Sequence, residues 1–477
     1  MHVHWTRLAF VLLIAACQPA ARVAPSSATP WRPPEPLANY LPARAQARTP
    51  TGVAPEPGRV YALVDLIDLA ERTNPETQRA WERARAAAAR LGIAEGAYLP
   101  VLAVAATGGW AQKVNPTPDG TEIIHGTFIT PRADLSWRLL DFGRRSADVE
   151  RRNQELLAGN FDFTRTHQDL AFTVERSFYA YGAARARVSA AEATLAAATA
   201  LREAADARLG SGLGTKPDAL LARQEEVRAA YELQAAHGQV EDTYATLATT
   251  VGVSPATRLD AADLGAQQLP AGLQDSVEAV IEQALSGRPD LAARLAALRA
   301  REAEERRARA DFWPVVGVLG QAGGVFDDYR AGPPFASHTD NEPIYGAFLG
   351  VEWTLFEGWQ RENALREAKA NAATARAELA TLELSVLREV WKAYADVKTA
   401  LRKHEFATAL LRASQDAYDA SLATYQAGVG DFLDLLAAER ELARARYTQI
   451  ESRAEVLTAS AALTHATGTT AGWRLGL

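Results

Sequence analysis

The sequence is poor in the residues that build redox and cofactor sites. One cysteine stands among 477 residues, which excludes disulfides within the chain and any cysteine-built metal site. The eight histidines (2, 4, 125, 167, 237, 338, 404, 465) show no metal-ligand spacing after the N-terminal segment. There is no basic surplus: 51 Lys+Arg against 58 Asp+Glu give a net charge of −7, which argues against a nucleic-acid partner. Downstream of the N-terminus no run of 18 apolar residues occurs, and mean hydropathy is −0.16, so a helical transmembrane protein is excluded. A membrane β-barrel is not, because short alternating strands barely move such averages. A phosphate-binding loop is missing too. Gly210-Ser211-Gly212-Leu213-Gly214-Thr215-Lys216 is glycine-rich, but such a loop needs Gly-Lys-Ser/Thr after a strand, and here Gly-Thr-Lys-Pro follows a helix. Nothing else points to catalysis, and no cofactor is expected.

The single cysteine has a telling place. A basic start through Arg7, the apolar run Leu8–Ala16 and the small residues before Cys17 make a secretory signal over 1–16. Ile14-Ala15-Ala16-Cys17 resembles a bacterial lipobox, so Cys17 is expected to become the acylated first residue of the mature protein. Gln18, in place of an aspartate, is compatible with the outer membrane. Residues 17–58 hold ten of the 23 prolines and read as an extended tether.

Beyond the tether the chain repeats itself. Asn74-Pro75-Glu76 recurs as Arg288-Pro289-Asp290 and Tyr98-Leu99-Pro100 as Phe312-Trp313-Pro314, each 214 residues apart. Trp137 and Trp353, Gly212 and Gly428, Asp218 and Asp434, and Gly252 and Gly468 are 216 apart. The period is far too long for a solenoid and marks two domain-sized copies, 59–265 and 266–470, with a tail at 471–477. Each copy has one grammar. Short helices (62–73 and 75–97; 276–286 and 289–312) end at Pro100 and Pro314. A strand hairpin follows (101–140; 315–357), with loops placed at about 114–126 and 327–345, where Pro, Gly, Asp and Asn gather. Thr130, Arg132, Asp134, Ser136 and Arg138 alternate with Pro131, Ala133, Leu135, Trp137 and Leu139, as in a strand wet on one face. Long helical hairpins close each copy (143–250; 358–467). Their first arms lack proline and turn at Gly-rich tips, giving rods of roughly 100 Å packed as coiled coils.

Four strands cannot close a barrel, and an open edge is not tolerated in lipid, so the missing strands must come from other copies. Two copies give eight strands and a filled interior; three give twelve and leave room for a lumen. Trp110, Trp137 and Trp353 suit interfacial girdles. The plain alternative is a soluble hairpin domain with wet outer faces.

The duplicated halves, the strand hairpin in each, Leu140-Asp141-Phe142-Gly143-Arg144 and Leu355-Phe356-Glu357-Gly358 opening the rods, and the Gly-rich tips resemble the TolC-type outer-membrane efflux proteins. The lipobox points to their lipoprotein branch. The resemblance covers about 60–470. It implies a mainly α fold with a membrane β-barrel: a homotrimer with one shared 12-stranded barrel, a periplasmic helical tunnel and an equatorial belt containing about 250–275 and the C-terminus. It also implies a periplasmic adaptor protein and an inner-membrane pump, of the resistance-nodulation-division type, as partners. The expected role is the passive exit duct of a tripartite efflux system in the Gram-negative outer membrane. Alternatives are a duct for type I protein secretion or a non-channel coiled-coil adaptor. Within the family's gate, Tyr425, Gly428 and Asp434 match the constricting hairpin, Leu433 the position of an apolar ring, and Asp218 the outer hairpin's partner aspartate. Gly430 stands where the founding member has a latching arginine. Asp218 and Asp434 also fit the third position of a helix, where a carboxylate simply stabilises the helix start.

Overall fold

The computed structural model describes residues 55–56, 58–118, 120–270, 272–273, 276–331 and 338–469. Of the unit Met1–Pro55, only Pro55 is among them, so Cys17, the signal segment and nearly all of the tether lie outside the described residues, as does the tail. No described helix is long and apolar enough to cross a membrane.

The unit Glu56–Leu477 runs β1 (Val60–Tyr61), α1 (Leu63–Thr73), α2 (Pro75–Gly96), β2 (Val101–Thr117), β3 (Gly120–Leu140), α3 (Arg144–Gly210), α4 (Lys216–Val251) and β4 (Asp260–Ala261). It then continues through α5 (Val277–Gly287), α6 (Pro289–Ala310), β5 (Val315–Ala331), β6 (His338–Glu352), α7 (Gln360–Gln426) and α8 (Phe432–Ala466). The strands β1 and β4 form a two-residue parallel ladder; the four long strands form one antiparallel sheet in the order β2-β3-β5-β6.

Both rods, α3 and α7, have 67 residues, about 100 Å at 1.5 Å per residue. Their buried positions explain how such length packs. Ala184, Ala191, Ala198 and Ala205 on α3, and Ala393, Ala400, Ala407 and Ser414 on α7, recur every seven residues. That 3.5-residue period keeps one seam facing a neighbour, and small side chains let the axes approach closely. Larger apolar side chains gather at mid-rod. Leu66, Val174, Phe178, Leu247, Val251 and Leu264 form one core, and Val280, Ala284, Val386, Val390 and Ala466 its counterpart in the second half.

The shorter helices complete the rod's side by stacking end to end. Asn74 accepts from the Glu76 amide (2.8 Å), capping α2, while its side-chain amide donates to the Thr250 carbonyl (2.8 Å) at the end of α4. One residue therefore satisfies orphan groups of two helices at once. Gly252 permits the abutment, since a Cβ there would lie 2.9 Å from the Thr73 carbonyl carbon. At the matching junction Arg288 replaces Asn74. Its guanidinium donates to the Ala466 carbonyl at the end of α8 (3.2 Å) and pairs with Asp290 (2.6 Å) and Glu389 (2.9 Å), with its side chain only 2% exposed. A cation at a helix C-terminus and a carboxylate in a first turn both suit the backbone dipoles.

The corners joining strands to rods are also duplicated. Asp141 and Arg145 are both buried and paired at 2.7 Å; Arg145 also donates to the Arg138 carbonyl (2.6 Å) and lies over the Tyr98 ring (4.7 Å). In the second half Arg361 lies 2.8 Å from Glu357 and 5.5 Å from the Phe312 ring. The indole N–H groups of Trp137 and Trp353 donate to the carbonyls of Tyr98 and Phe312 (2.9 and 3.2 Å). Phe142 and Trp359 adopt the left-handed backbone that turns each corner.

The sheet differs from expectation in one respect. Most of what sequence placed in loops at 114–126 and 327–345 is strand: β2 and β3 pair to Thr117↔Gly120, and β5 and β6 to Tyr329↔His338. Pro116 and Pro343 read as breakers, but both sit on strands that have a ladder on one side only within the chain, the sheet position where proline is tolerated. Pro131, on the inner strand β3, coincides with a gap in the β3–β5 pairing between Ile129 and Arg132. These strands have 15 to 21 residues, whereas about ten suffice to cross a membrane. The polar distal ends are the surplus, so their composition resembles that of loops.

Candidate functional site

Register sorts the sheet into two faces. Leu102, Val104 and Trp110 share one with Leu135, Ala133, Trp137, Val318, Leu349 and Val351. Arg132, Asp134, Gln321 and Glu352 share the other, with Arg132 and Asp134 paired at 3.0 Å. An irregularity between Arg138 and Leu140 moves Leu140, which would fall on the polar side by strict alternation, opposite Val316 on the apolar side. Strands β2 and β6 carry unpaired edges.

At the far end of the rods the two hairpin tips pack on one another. Each rod ends alike. Gly212 (φ 74°) and Gly428 (φ 80°) take the left-handed conformation; Leu213 N–H donates to Arg208 (2.9 Å) and Val429 N–H to Thr424 (3.1 Å), satisfying the last carbonyls. Leu213 and Val429 are 75% and 82% exposed, and Leu433 is 54% exposed, so the tips present apolar side chains among exposed polar ones such as Lys216, Asp431 and Asp434. Beneath it Tyr425 is buried with Leu201, Phe432, Leu435 and Leu436, its ring 5.8 Å from that of Phe432. The Arg208 guanidinium lies 4.7 Å from the Tyr425 ring centre and donates to its carbonyl (3.1 Å). Burial raises the Tyr425 phenol above its ordinary value, and Asp218 adds to that while Arg208 opposes it.

The two aspartates matched in sequence have different surroundings. Asp218 forms a capping box: its carboxylate accepts from the Thr215 hydroxyl (2.7 Å), and its amide donates to that hydroxyl (3.3 Å). Before α8 the cap is Asp431, which accepts from the Leu433 amide (3.3 Å). Asp434 is exposed and makes no hydrogen bond or ion pair among the described residues. Gly430 has a steric reason to be glycine. A Cβ there would lie 2.7 Å from the Thr424 hydroxyl and 2.9 Å from the Tyr425 nitrogen, so this turn has no room for the family's arginine.

Sequence reasoning missed Arg208, Phe432 and a buried charge cluster just behind the tip. Glu225 on α4 is 1% exposed and accepts from Arg440 on α8 through Nε (2.9 Å) and Nη2 (2.7 Å), and from Arg228. Glu439 beside it is 3% exposed. The signal was present: Glu439 interrupts an apolar stripe of Leu435, Leu436, Leu442 and Ala443 at helical spacing.

Long paired helical hairpins on a two-faced sheet with free edges define a channel subunit of the cell envelope. Residues 66–253 and 280–469 match the family model described as outer membrane efflux protein, and the chain belongs to that family. Protein CyaE of Bordetella pertussis is 29% identical over 409 residues, covering 85% of this chain and 84% of that one. The outer membrane protein OprJ of Pseudomonas aeruginosa is 26% identical over 445 residues, 90% and 88% of the two chains. Among solved structures, the outer-membrane channel OprN has a TM-score of 0.75 at 23% identity, over 88% of this chain and 95% of that one. VceC of Vibrio cholerae has a TM-score of 0.71 at 19% identity, over 86% and 96%. These likenesses establish the fold. The protein is an outer-membrane efflux protein.

Proposed function

We propose that three copies close one 12-stranded barrel in the outer membrane and join their helical hairpins into a periplasmic tunnel, the passive exit duct of a tripartite efflux pump. The observation that carries this is the sheet itself: four strands with an apolar and a polar face and unpaired edges at β2 and β6. Lipid solvates no free edge, so each β2 must meet a neighbour's β6. The apolar face meets lipid, and Arg132, Asp134 and Glu352 line water. An inner-membrane pump, of the resistance-nodulation-division type, and a periplasmic adaptor supply energy and contact. The tips are the gate: three copies of Asp434 ring the narrow end, with Leu433, Tyr425 and Gly428 shaping it and Asp218 buttressing it. Cys17 carries the lipid that anchors the N-terminus. Small molecules are the expected cargo, and a relative named for pyoverdine export, OpmQ of Pseudomonas putida, is 27% identical over 290 residues.

Cys17 is the sole cysteine, so engineered thiols have no background in a Cys17→Ala protein. Cysteines placed in pairs along β2 (Leu102, Val104, Ala106) and β6 (Ala347, Leu349, Val351), positions that share the apolar face, should oxidise in outer membranes to covalent species of up to three chains. Bands ending at dimer, or climbing past trimer, would contradict the shared barrel.

A further inference from the structure

The buried cluster behind the tip links the two hairpins, which also meet through Arg208 and the Tyr425 carbonyl at the tip and through Arg187–Glu451 and Asp169–His465 farther along the rods. Glu225 lies nine residues into α4, on the first hairpin, and Arg440 eight residues into α8, on the second. Their bidentate contact, backed by Arg228, crosses between hairpins just above the cluster of Tyr425, Phe432, Leu435 and Leu436. Glu439 shares this site with one buried carboxylate oxygen, Oε2, that has no hydrogen-bond partner.

We propose that Glu439 is the proton sensor of a tie between the two hairpins: while it holds a proton, Arg440 stays with Glu225 and the tips remain packed, and its ionisation drives the hairpins apart. This rests on reading the tips as the duct's gate. The chemistry follows from placement. A second carboxylate charge in a dry site repels Glu225 and is left without a hydrogen bond of its own. Burial, then Glu225, pushes the Glu439 carboxyl up to about 7, with Arg228, Arg440 and Arg446 pulling the other way. The other groups facing it stay uncharged or are engaged elsewhere. Tyr418 of α7 and Tyr447 of α8 are phenols held above their ordinary value by burial. Arg446 of α8 donates to the Gln415 side-chain oxygen of α7 (3.4 Å).

The sign follows from linkage. A carboxyl that titrates at 4.5 in water and near 7 when buried favours the packed tips at acid pH and loses that preference as pH rises from 4.5 to 7. If separation solvates Glu439 fully, that displacement shifts the equilibrium by about a few hundred-fold at most.

Spin labels at Leu220→Cys on α4 and Leu433→Cys on α8, in a Cys17→Ala protein, read the tie directly. Both positions are more than half exposed. The distance between labels should lengthen as pH rises through the window from 4.5 to 7. Glu439→Gln, a fixed neutral stand-in, should hold the short distance from pH 5 to 9, and Arg440→Gln should give the long one throughout. A distance unchanged with pH, or a midpoint that survives in Glu439→Gln, overturns the inference. Channel recordings on the same proteins keep the two readings apart. Labels that switch in a protein that never conducts count against the duct, whereas conduction with unmoving labels counts against the tie.

Discussion

Asp434 and Asp218 share a sequence context, three residues into a helix that follows a glycine-rich tip, yet their surroundings assign them different work. Asp218 is held by Thr215, so Asp218→Ala should lower stability by about 1 kcal/mol, read as an earlier thermal midpoint, and leave ion selectivity unchanged. Asp434 has no such partner, because Asp431 takes the capping role. In the proposed trimer, three copies of Asp434 around one axis would attract multivalent cations. Asp434→Ala should therefore weaken block by trivalent cations added on the periplasmic side, with little change in the thermal midpoint. If block persists while stability falls, Asp434 belongs with the caps. Gly430 gives a third outcome at this scale. Gly430→Arg should loosen the tip instead of latching it, since even its Cβ meets the Thr424–Tyr425 backbone. Faster amide hydrogen exchange over 424–434 is the measurement, and slower exchange would show that the turn adapts.

At the scale of elements, helix ends and rods were legible because proline and glycine punctuate them. Pro75 and Pro289 open helices, and Gly212, Gly252, Gly428 and Gly468 follow their ends with positive φ. Alternation revealed the membrane half of the strands. It failed beyond Lys113 and Asp327, where Ile123 and Ile124 put apolar side chains on both faces and period two is lost. The end-to-end junctions were foreseen as stacking but not as chemistry, because Asn74 and Arg288 solve one problem with unlike side chains. That difference is measurable. Asn74→Ala removes a cap and should cost about 1 kcal/mol. Arg288→Met takes the buried cation from the part-exposed carboxylates of Asp290 and Glu389 and from the Ala466 carbonyl, and should cost about 2 kcal/mol. Burial acts to raise the Asp290 carboxyl, but the hydrogen bond and charge of Arg288 prevail and hold it below 3.8. Its contribution is thus present above pH 3.8 and lost as pH falls through the lower folded value. In denaturant titrations the gap between wild type and Arg288→Met should narrow under acid; a constant gap would assign the loss to packing.

At the scale of the whole molecule, the surface of one chain is what the proposed ring must cover. Leu102, Val104, Tyr345, Leu349 and Val351 are all more than 60% exposed in the single chain, on a sheet whose edges are unpaired. Duplication explains the rest: corners, junctions and tips recur 214 to 216 residues apart, so the proposed trimer would present six near-equivalent hairpins to one tunnel. What residues alone could not supply was the binding of strands to rods, since Arg145 and Arg361 look like any other charge on a helix until Asp141 and Glu357 are seen beside them. The central claim is that this ring conducts and that its tips close it. Single-channel recording of the purified protein in planar bilayers tests both at once, with Tyr425→Ala used to remove the ring at the centre of the tip packing. The account predicts a small, cation-selective conductance in wild type and a several-fold larger one in Tyr425→Ala. Equal conductance in the two proteins, or none in either, would contradict it.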